Sequence, residues 1–191
     1  MKRSSKRMDA TALSACLLAA GLACGAGAAE PTVAAQSQIK DRKGDVVGTA
    51  ELLQTAGGLL IKMAVKNLQP GQHAIHIHTV GKCEPPFTTA GAHFNPEQHP
   101  HGMLAGNAHA GDLPNLHVPD GGAIEVEIIT KAATLEKGKP NSLLDNDGSS
   151  LVIHATADDY KTNPDGAAGE RIACGVITSN EGSVGRSDGA R

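Results

Sequence analysis

Residues 59–68 read Leu-Leu-Ile-Lys-Met-Ala-Val-Lys-Asn-Leu, the clearest alternation in the chain. Ile61, Met63 and Val65 point to one side, and Lys62, Ala64 and Lys66 to the other. A side-chain period of two marks a half-buried β-strand. The same grammar continues outward in both directions. Ala56-Gly57-Gly58 turns back to a strand candidate at residues 46–54, which follows the turn signal Asp41-Arg42-Lys43-Gly44-Asp45. Leu68-Gln69-Pro70-Gly71 turns forward into a short strand at residues 73–78, with Ile75 and Ile77 on one face and His76 and His78 on the other. Residues 124–130 alternate with Ile124, Val126 and Ile128 inward, and residues 151–156 and 171–177 supply two more strands. Residues 30–37 read as a linker entering a first strand, and residues 179–191 as a flexible Gly- and Ser-rich tail. No long amphipathic helix and no internal repeat is visible. Short strands with turn signals at this spacing predict an all-β antiparallel sandwich or barrel of about eight strands. With two Phe, one Tyr and no Trp, its core must be filled by Val, Ile and Leu.

Two long loops interrupt this pattern. The first lies within residues 71–112, which hold His73, His76, His78, His93, His99, His101 and His109, seven of the nine histidines. A loop this long, rich in Gly and Pro and without a core of its own, is functional or disordered. Metal ligation would order it, since imidazole binds copper and zinc well. His76 and His78 leave one face of a strand together, which gives two donors from a rigid element, although an exposed pair fits the same spacing. His93, His101 and His109 are spaced eight and eight, with Asp112 three further on. Three His and one Asp make a four-coordinate set of the zinc type, and a solvated loop that scavenges metal fits the spacing equally well. His154 sits on a distant apolar strand. It is either a core histidine bonded to backbone or the third strand-borne donor beside His76 and His78. The second loop, residues 158–170, is polar and carries Pro164, Gly166 and Gly169.

The chain opens with Lys2, Arg3, Lys6 and Arg7, an apolar run over residues 10–23, and Gly27-Ala28-Ala29. That is the pattern of a secretory signal peptide over residues 1–29, cut before a domain at residues 30–191. The run is too short to span a membrane comfortably. Gly21-Leu22-Ala23-Cys24 leaves open a lipid anchor at Cys24. Removing the leader takes four of the 17 basic and one of the 20 acidic residues, leaving 13 against 19, a net charge of −6 with His neutral. An acidic domain without a basic cluster or aromatic platform excludes nucleic acid as a partner. Cys83 and Cys174 remain, an even pair that in an exported protein forms a disulfide or, alternatively, stays as two buried thiols.

Taken in order, the motifs are His73-x-x-His76-x-His78, Gly-Lys-Cys at 81–83, Ala-Gly-Ala-His-Phe-Asn-Pro at 90–96, His101-Gly102, and His-Ala-Gly-Asp-Leu at 109–113. Leu-Val-Ile-His at 151–154, Ala-Asp-Asp at 157–159 and Gly-Glu-Arg-Ile-Ala-Cys-Gly-Val-Ile at 169–177 follow. Over nearly all of the mature chain this resembles the copper/zinc superoxide dismutases of the bacterial exported type. The resemblance implies a Greek-key barrel. It implies one copper per subunit on His76, His78, His93 and His154, and one zinc on His93, His101, His109 and Asp112. His93 would serve both metals. Asp158 would link His76 to His101, His73 would support the site, Arg171 would stand beside copper, and Cys83 would pair with Cys174. The implied reaction converts superoxide to dioxygen and hydrogen peroxide, with copper doing the redox work and His93 handling a proton. The implied location is periplasmic or secreted, as a homodimer or monomer. The alternative is an exported copper- and zinc-binding protein without dismutase activity. His99 is a rival to His101, which has the glycine that follows in the family pattern, and His117 has no assigned role. Thr79 stands where many members carry an acid, and the segment from His101 to His109 is one residue shorter than in some.

Overall fold

The computed structural model describes residues 33–180. The leader expected at residues 1–29 and the tail beyond residue 180 lie outside the described residues. The strands are β1 (Val33–Asp41), β2 (Val46–Thr55), β3 (Gly58–Val65), β4 (Gly71–His73), β5 (Ile75–His78), β6 (Leu116–Val118), β7 (Ile124–Thr130), β8 (Ser150–His154), β9 (Arg171–Val176) and β10 (Thr178–Ser179). The main sheet runs β5-β8-β9-β1-β2-β3-β7, with β10 beside β1, while β4 pairs with β6. Every pairing between these strands is antiparallel. Beside β3 lies β7 rather than β4, and beside β5 lies β8 rather than β6, so the connections cross over as in a Greek key. The only helical turns among the described residues are two short 3₁₀ segments in the first loop, Thr88–Ala90 and Met103–Ala105.

The alternation at residues 59–68 does what its pattern predicts. Leu59, Ile61, Met63 and Val65 are buried, and Ile61 and Met63 lie opposite Ile128 and Val126 of β7. On the far side of the core, Ile75 and Ile77 of β5 face Ile153 and Leu151 of β8. These aliphatics, with Leu52, Leu113, Leu116 and Leu143, form one continuous core. The inward residues of β7 are only half-buried because β7 ends the sheet and has β3 on one side alone.

Three elements depart from expectation. Residues 33–37 belong to strand β1 rather than to a linker. Ala35, Ser37 and Ile39 are buried while Gln36, Gln38 and Lys40 are exposed, an alternation too poor in large apolar residues to stand out. Strand β6, three residues long, follows the His-rich region and has too few residues to show a period. Residues 179 and 180, expected to open the tail, are tied to the sheet: Ser179 pairs with Ala35, and the Asn180 amide donates to the Ala34 carbonyl at 2.9 Å.

All four residues of β5 and all five of β8 are buried. One face of each lies in the core, and the other, bearing His76, His78, Val152 and His154, lies under the two long loops. The Cys83–Cys174 disulfide is formed, with Cα atoms 5.6 Å apart. It ties the first loop to β9 beside a small apolar cluster of Phe87, Ala90 and Val152.

Candidate metal centre

The first loop is zipped back along β5. The Phe94 amide donates to Ile77 O at 2.8 Å, the Ile77 amide to Gly111 O at 2.9 Å, and the Gly111 amide to Phe94 O at 2.8 Å. Isolated bridges pair His78 with His93 and His76 with Asp112. The chain can come this close because Gly111 has no side chain; a Cβ there would strike the Ile77 carbonyl oxygen. Four loop residues are thereby delivered beside three strand histidines. The result is two groups, His76–His78–His93–His154 and His93–His101–His109–Asp112, each with its ligand atoms within 4.8 Å of one another. All seven side chains are buried, and His93 belongs to both groups.

Each ring in the first group has one nitrogen engaged. His76 Nε2 donates to Asp158 Oδ2 at 2.8 Å, His78 Nδ1 to Gly91 O at 3.0 Å, and His154 Nδ1 to Gly169 O at 3.3 Å. These partners fix the tautomer, since a neutral imidazole that donates at one nitrogen carries a lone pair on the other. The lone-pair atoms are His76 Nδ1, His78 Nε2 and His154 Nε2, joined by His93 Nε2, and all four are buried without a hydrogen-bond partner. Orphaned polar atoms are costly, and four that converge call for an electron-pair acceptor. A cation that accepts nitrogen donors, copper foremost, fits them.

The second group is built differently. Asp112 Oδ1 lies 2.8 Å from His93 Nδ1 and 3.2 Å from His109 Nδ1. Its Oδ2 accepts from the Gly102 and His109 amides at 3.3 and 3.1 Å. His101 Nδ1 stands 3.1 Å from the same oxygen without hydrogen-bonding alignment. Tetrahedral zinc bonds of about 2.0–2.1 Å would place two ligand nitrogens about 3.3 Å apart, and His93 Nδ1 to His109 Nδ1 is 3.3 Å. Three nitrogens and one carboxylate oxygen suit zinc.

Burial favours the neutral form of His76, His78, His109 and His154. It pushes His78 well below its ordinary value, with the neighbouring His93 adding to the effect, and lowers His76 despite the opposing bond to Asp158. His154 falls to about 3, through burial first and then His76. His109 is also lowered by burial. For the carboxylates burial acts upward and is outweighed. The His93 contact and the nearby histidines lower Asp112, and the bonds from His76 and His101 hold Asp158 well below the usual range. Neutral imidazoles and charged carboxylates are the protonation states that bind metal.

Asp158 connects the groups, accepting from His76 through Oδ2 and from His101 Nε2 through Oδ1 at 2.9 Å. Its backbone is gripped by the Asn115 side chain, which donates to Asp158 O and accepts from the Asp158 amide, both at 2.9 Å. The Tyr160 hydroxyl accepts from the Asn115 amide at 2.7 Å. Gly166 (φ +66°) packs on the carboxylate, where a Cβ would overlap Asp158 Oδ1 and lie 2.7 Å from His101 Nε2. Asn115, Tyr160 and Gly166 carried no metal-ligand signal in the sequence.

Arg171 opens β9, opposite His154. Its Nη1 donates to Phe87 O and its Nη2 to Gly91 O, both at 2.7 Å. Burial lowers its pKa, opposed by the charge of Asp165. Gly91 O thus accepts from both Arg171 and His78. His73 stands apart from both groups, its Nδ1 2.8 Å from His154 O and its Nε2 2.9 Å from Gln69 O, so it supports backbone. His99 faces Ala108 O at 3.2 Å and Glu97 at 3.4 Å and joins neither group. His117 is exposed on β6.

Residues 46–177 match the family model for copper/zinc superoxide dismutase (SODC). Superoxide dismutase [Cu-Zn] 1 of Aquifex aeolicus is 49% identical over 144 residues, covering 74% of this chain and 85% of that protein. Superoxide dismutase [Cu-Zn] of Caulobacter vibrioides is 43% identical over 148 residues, 75% of this chain and 84% of that protein. The crystal structure of a SOD-like protein from Bacillus subtilis superposes with a TM-score of 0.71 at 40% identity, over 74% of this chain and 96% of that one.

Proposed function

The chain belongs to the copper/zinc superoxide dismutase family, and from that premise we infer how its own residues divide the work of disproportionating superoxide. Two superoxide anions and two protons become one dioxygen and one hydrogen peroxide. Copper would be held by His76, His78, His93 and His154 and would supply one-electron chemistry, and zinc would be held by His93, His101, His109 and Asp112 and would supply a fixed charge. The observation that carries this assignment is the set of four orphaned nitrogens that share His93 with the second group.

His93 presents a nitrogen to each group, and its Nε2 lone pair can be taken by copper or by a proton in turn; in its protonated turn it would hand that proton to the reduced anion. Asp112 fixes the opposite nitrogen. Asp158 orients His76 and His101, and Gly91 O and Gly169 O orient His78 and His154. Arg171, with its guanidinium pinned to two carbonyls, keeps its charge in place for a small anion. The domain is net negative, so this local field must draw substrate in against the global charge; such steering raises on-rates by roughly 10–10³ and weakens with salt.

Export completes the reading. No helix among the described residues is long and apolar enough to cross a membrane. The leader pattern at residues 1–29 and the disulfide favour a protein exported to the periplasm or beyond. The sequence pattern at Cys24 keeps a lipid anchor as the competing maturation, told apart by the mass of the mature N-terminus.

The decisive experiment separates enzyme from metal store at Arg171. Metal content and superoxide-dependent activity are measured on wild type, Arg171→Lys and Arg171→Glu across a salt series. The expected result is unchanged metal in all three, partial activity in Lys, and a loss of ten-fold or more in Glu with a flattened or reversed salt dependence. Full activity and an unaltered salt profile in Arg171→Glu would remove Arg171 from the mechanism. A fully metallated wild type without activity would leave only metal storage.

A further inference from the structure

The hairpin between β1 and β2 reaches across to the entry of β9. Its turn is rigid: Asp41 Oδ1 accepts from the Lys43 and Asp45 amides at 2.8 and 2.9 Å, the Asp41 amide donates to Asp45 O at 2.9 Å, and the Gly44 amide to Asp41 O at 3.0 Å. Asp41 also pairs with Ala173 of β9, which fixes the turn against that strand. From it Arg42 extends a two-point grip. Its Nε donates to the backbone carbonyl of Arg171 at 2.8 Å, and its Nη1 pairs with Glu170 Oε2 at 2.9 Å. The gripped segment lies where the β8–β9 register slips, between Ile153 and His154. A slipped ladder holds its backbone less firmly than a regular one. The same few residues supply the Gly169 carbonyl that orients His154 and the Glu170 carbonyl that accepts from the Ala155 amide at 2.7 Å.

We propose that Arg42 is a positioning residue for the anion site, holding the 169–171 backbone so that the Arg171 guanidinium stays registered on Phe87 O and Gly91 O. The inference rests on the reading of Arg171 as the group that receives the anion. Arg171 is held from the front through its side chain by the loop that carries Cys83, and from behind through its backbone by Arg42. The planar fork of Arg42 makes both contacts at once; a lysine ammonium at the end of a flexible stem could pair with Glu170 but would not span to the carbonyl in the same geometry. Arg42 is partly exposed, so a bare surface ion pair with Glu170 would be worth little. The contact that matters is the charge-assisted bond to the carbonyl.

The test uses the copper- and zinc-loaded protein with azide as the anion probe, read by visible absorption, beside kcat/KM for superoxide. Variants are Arg42→Ala, Arg42→Lys, Glu170→Gln, Arg171→Ala and the double variant Arg42→Ala/Arg171→Ala. Amide exchange across residues 169–173 of metal-free wild type and Arg42→Ala gives a readout independent of turnover. Arg42→Ala should weaken azide binding and lower kcat/KM by about three- to ten-fold, the scale of one such bond. Glu170→Gln should shift both less in the same direction, and Arg42→Lys should recover only part. Arg42→Ala should add nothing in the Arg171→Ala background, and exchange should speed at residues 169–173. Azide binding that is weakened by Arg171→Ala but untouched by Arg42→Ala overturns the role of Arg42 alone. Full recovery in Arg42→Lys overturns the clamp in favour of simple charge. Azide binding unchanged in Arg171→Ala overturns the reading of Arg171 itself, and the proposal with it.

Discussion

His154 is the one member of the first group that comes from outside residues 71–112, and the neighbouring His73, with both ring nitrogens on backbone carbonyls, joins neither group. His154→Ala should therefore lose copper and activity while keeping most of its zinc, as metal analysis would read; full copper in the variant would sink the assignment. Gly166 offers a test without touching a ligand. An alanine methyl there meets the Asp158 carboxylate, and the φ of +66° is one that L-residues rarely adopt. Gly166→Ala should cost roughly 1–3 kcal/mol and impair zinc retention, because Asp158 must shift away from His101. Gly138 is the control: its φ is +79° with nothing within 4 Å of an added Cβ. Gly138→Ala should carry the backbone cost alone and leave both metals in place. Equal zinc contents in the two variants would argue against the packing role of Gly166.

Strands and loops carry different parts of the site. β5 and β8 hold His76, His78 and His154 in the sheet, whereas His93, His101, His109 and Asp112 depend on the first loop, fastened by its backbone bonds to β5 and by the disulfide. For a closed loop of 91 residues the chain-entropy model gives about 4–5 kcal/mol, and measured values are commonly smaller. Cys83→Ser should lower the melting temperature by roughly 10 °C. It should also loosen the carbonyls of Phe87 and Gly91 from Arg171, reducing activity more than metal content. Identical melting in reducing and non-reducing buffer would contradict this. The same contrast explains what the sequence disclosed. Strands with large apolar alternation, such as β3 and β7, were legible, and so were ligands whose residue type announces their chemistry. β1 was half-legible because Ala35 and Ser37 are buried in place of large residues. The carbonyls of Gly91 and Gly169, the grip of Asn115 and the reach of Arg42 were not legible, because backbone acceptors have no side-chain signature and long-range contacts appear only once the chain is folded.

Across the whole molecule, the buried titratable groups set the response to acid. In the metal-free protein His76, His78, His109 and His154 all have pKa values lowered by burial. The unfolded chain therefore binds more protons than the folded one below about pH 6.5, and stability falls as pH falls. For His154 the loss accumulates from about 6.5 down to its folded value of about 3. Asp112 and Asp158, also lowered, contribute stability above about pH 4 that is lost further down, with the same sign. Metal-free protein should melt progressively lower from pH 7 to pH 4, and bound metal should flatten the curve because protons and metal compete for the same lone pairs. A flat metal-free profile over that range would show that the histidines are not held neutral by the fold.

Two side chains, His93 and Asp158, each touch both groups of ligands. Filling one group therefore restrains donors of the other. The free energies of loading the two metals are not independent, and linkage makes their influence symmetrical: whatever factor zinc brings to the affinity for copper, copper returns to the affinity for zinc. The two groups are in this sense one coupled system, in which loading either changes the other by a common factor.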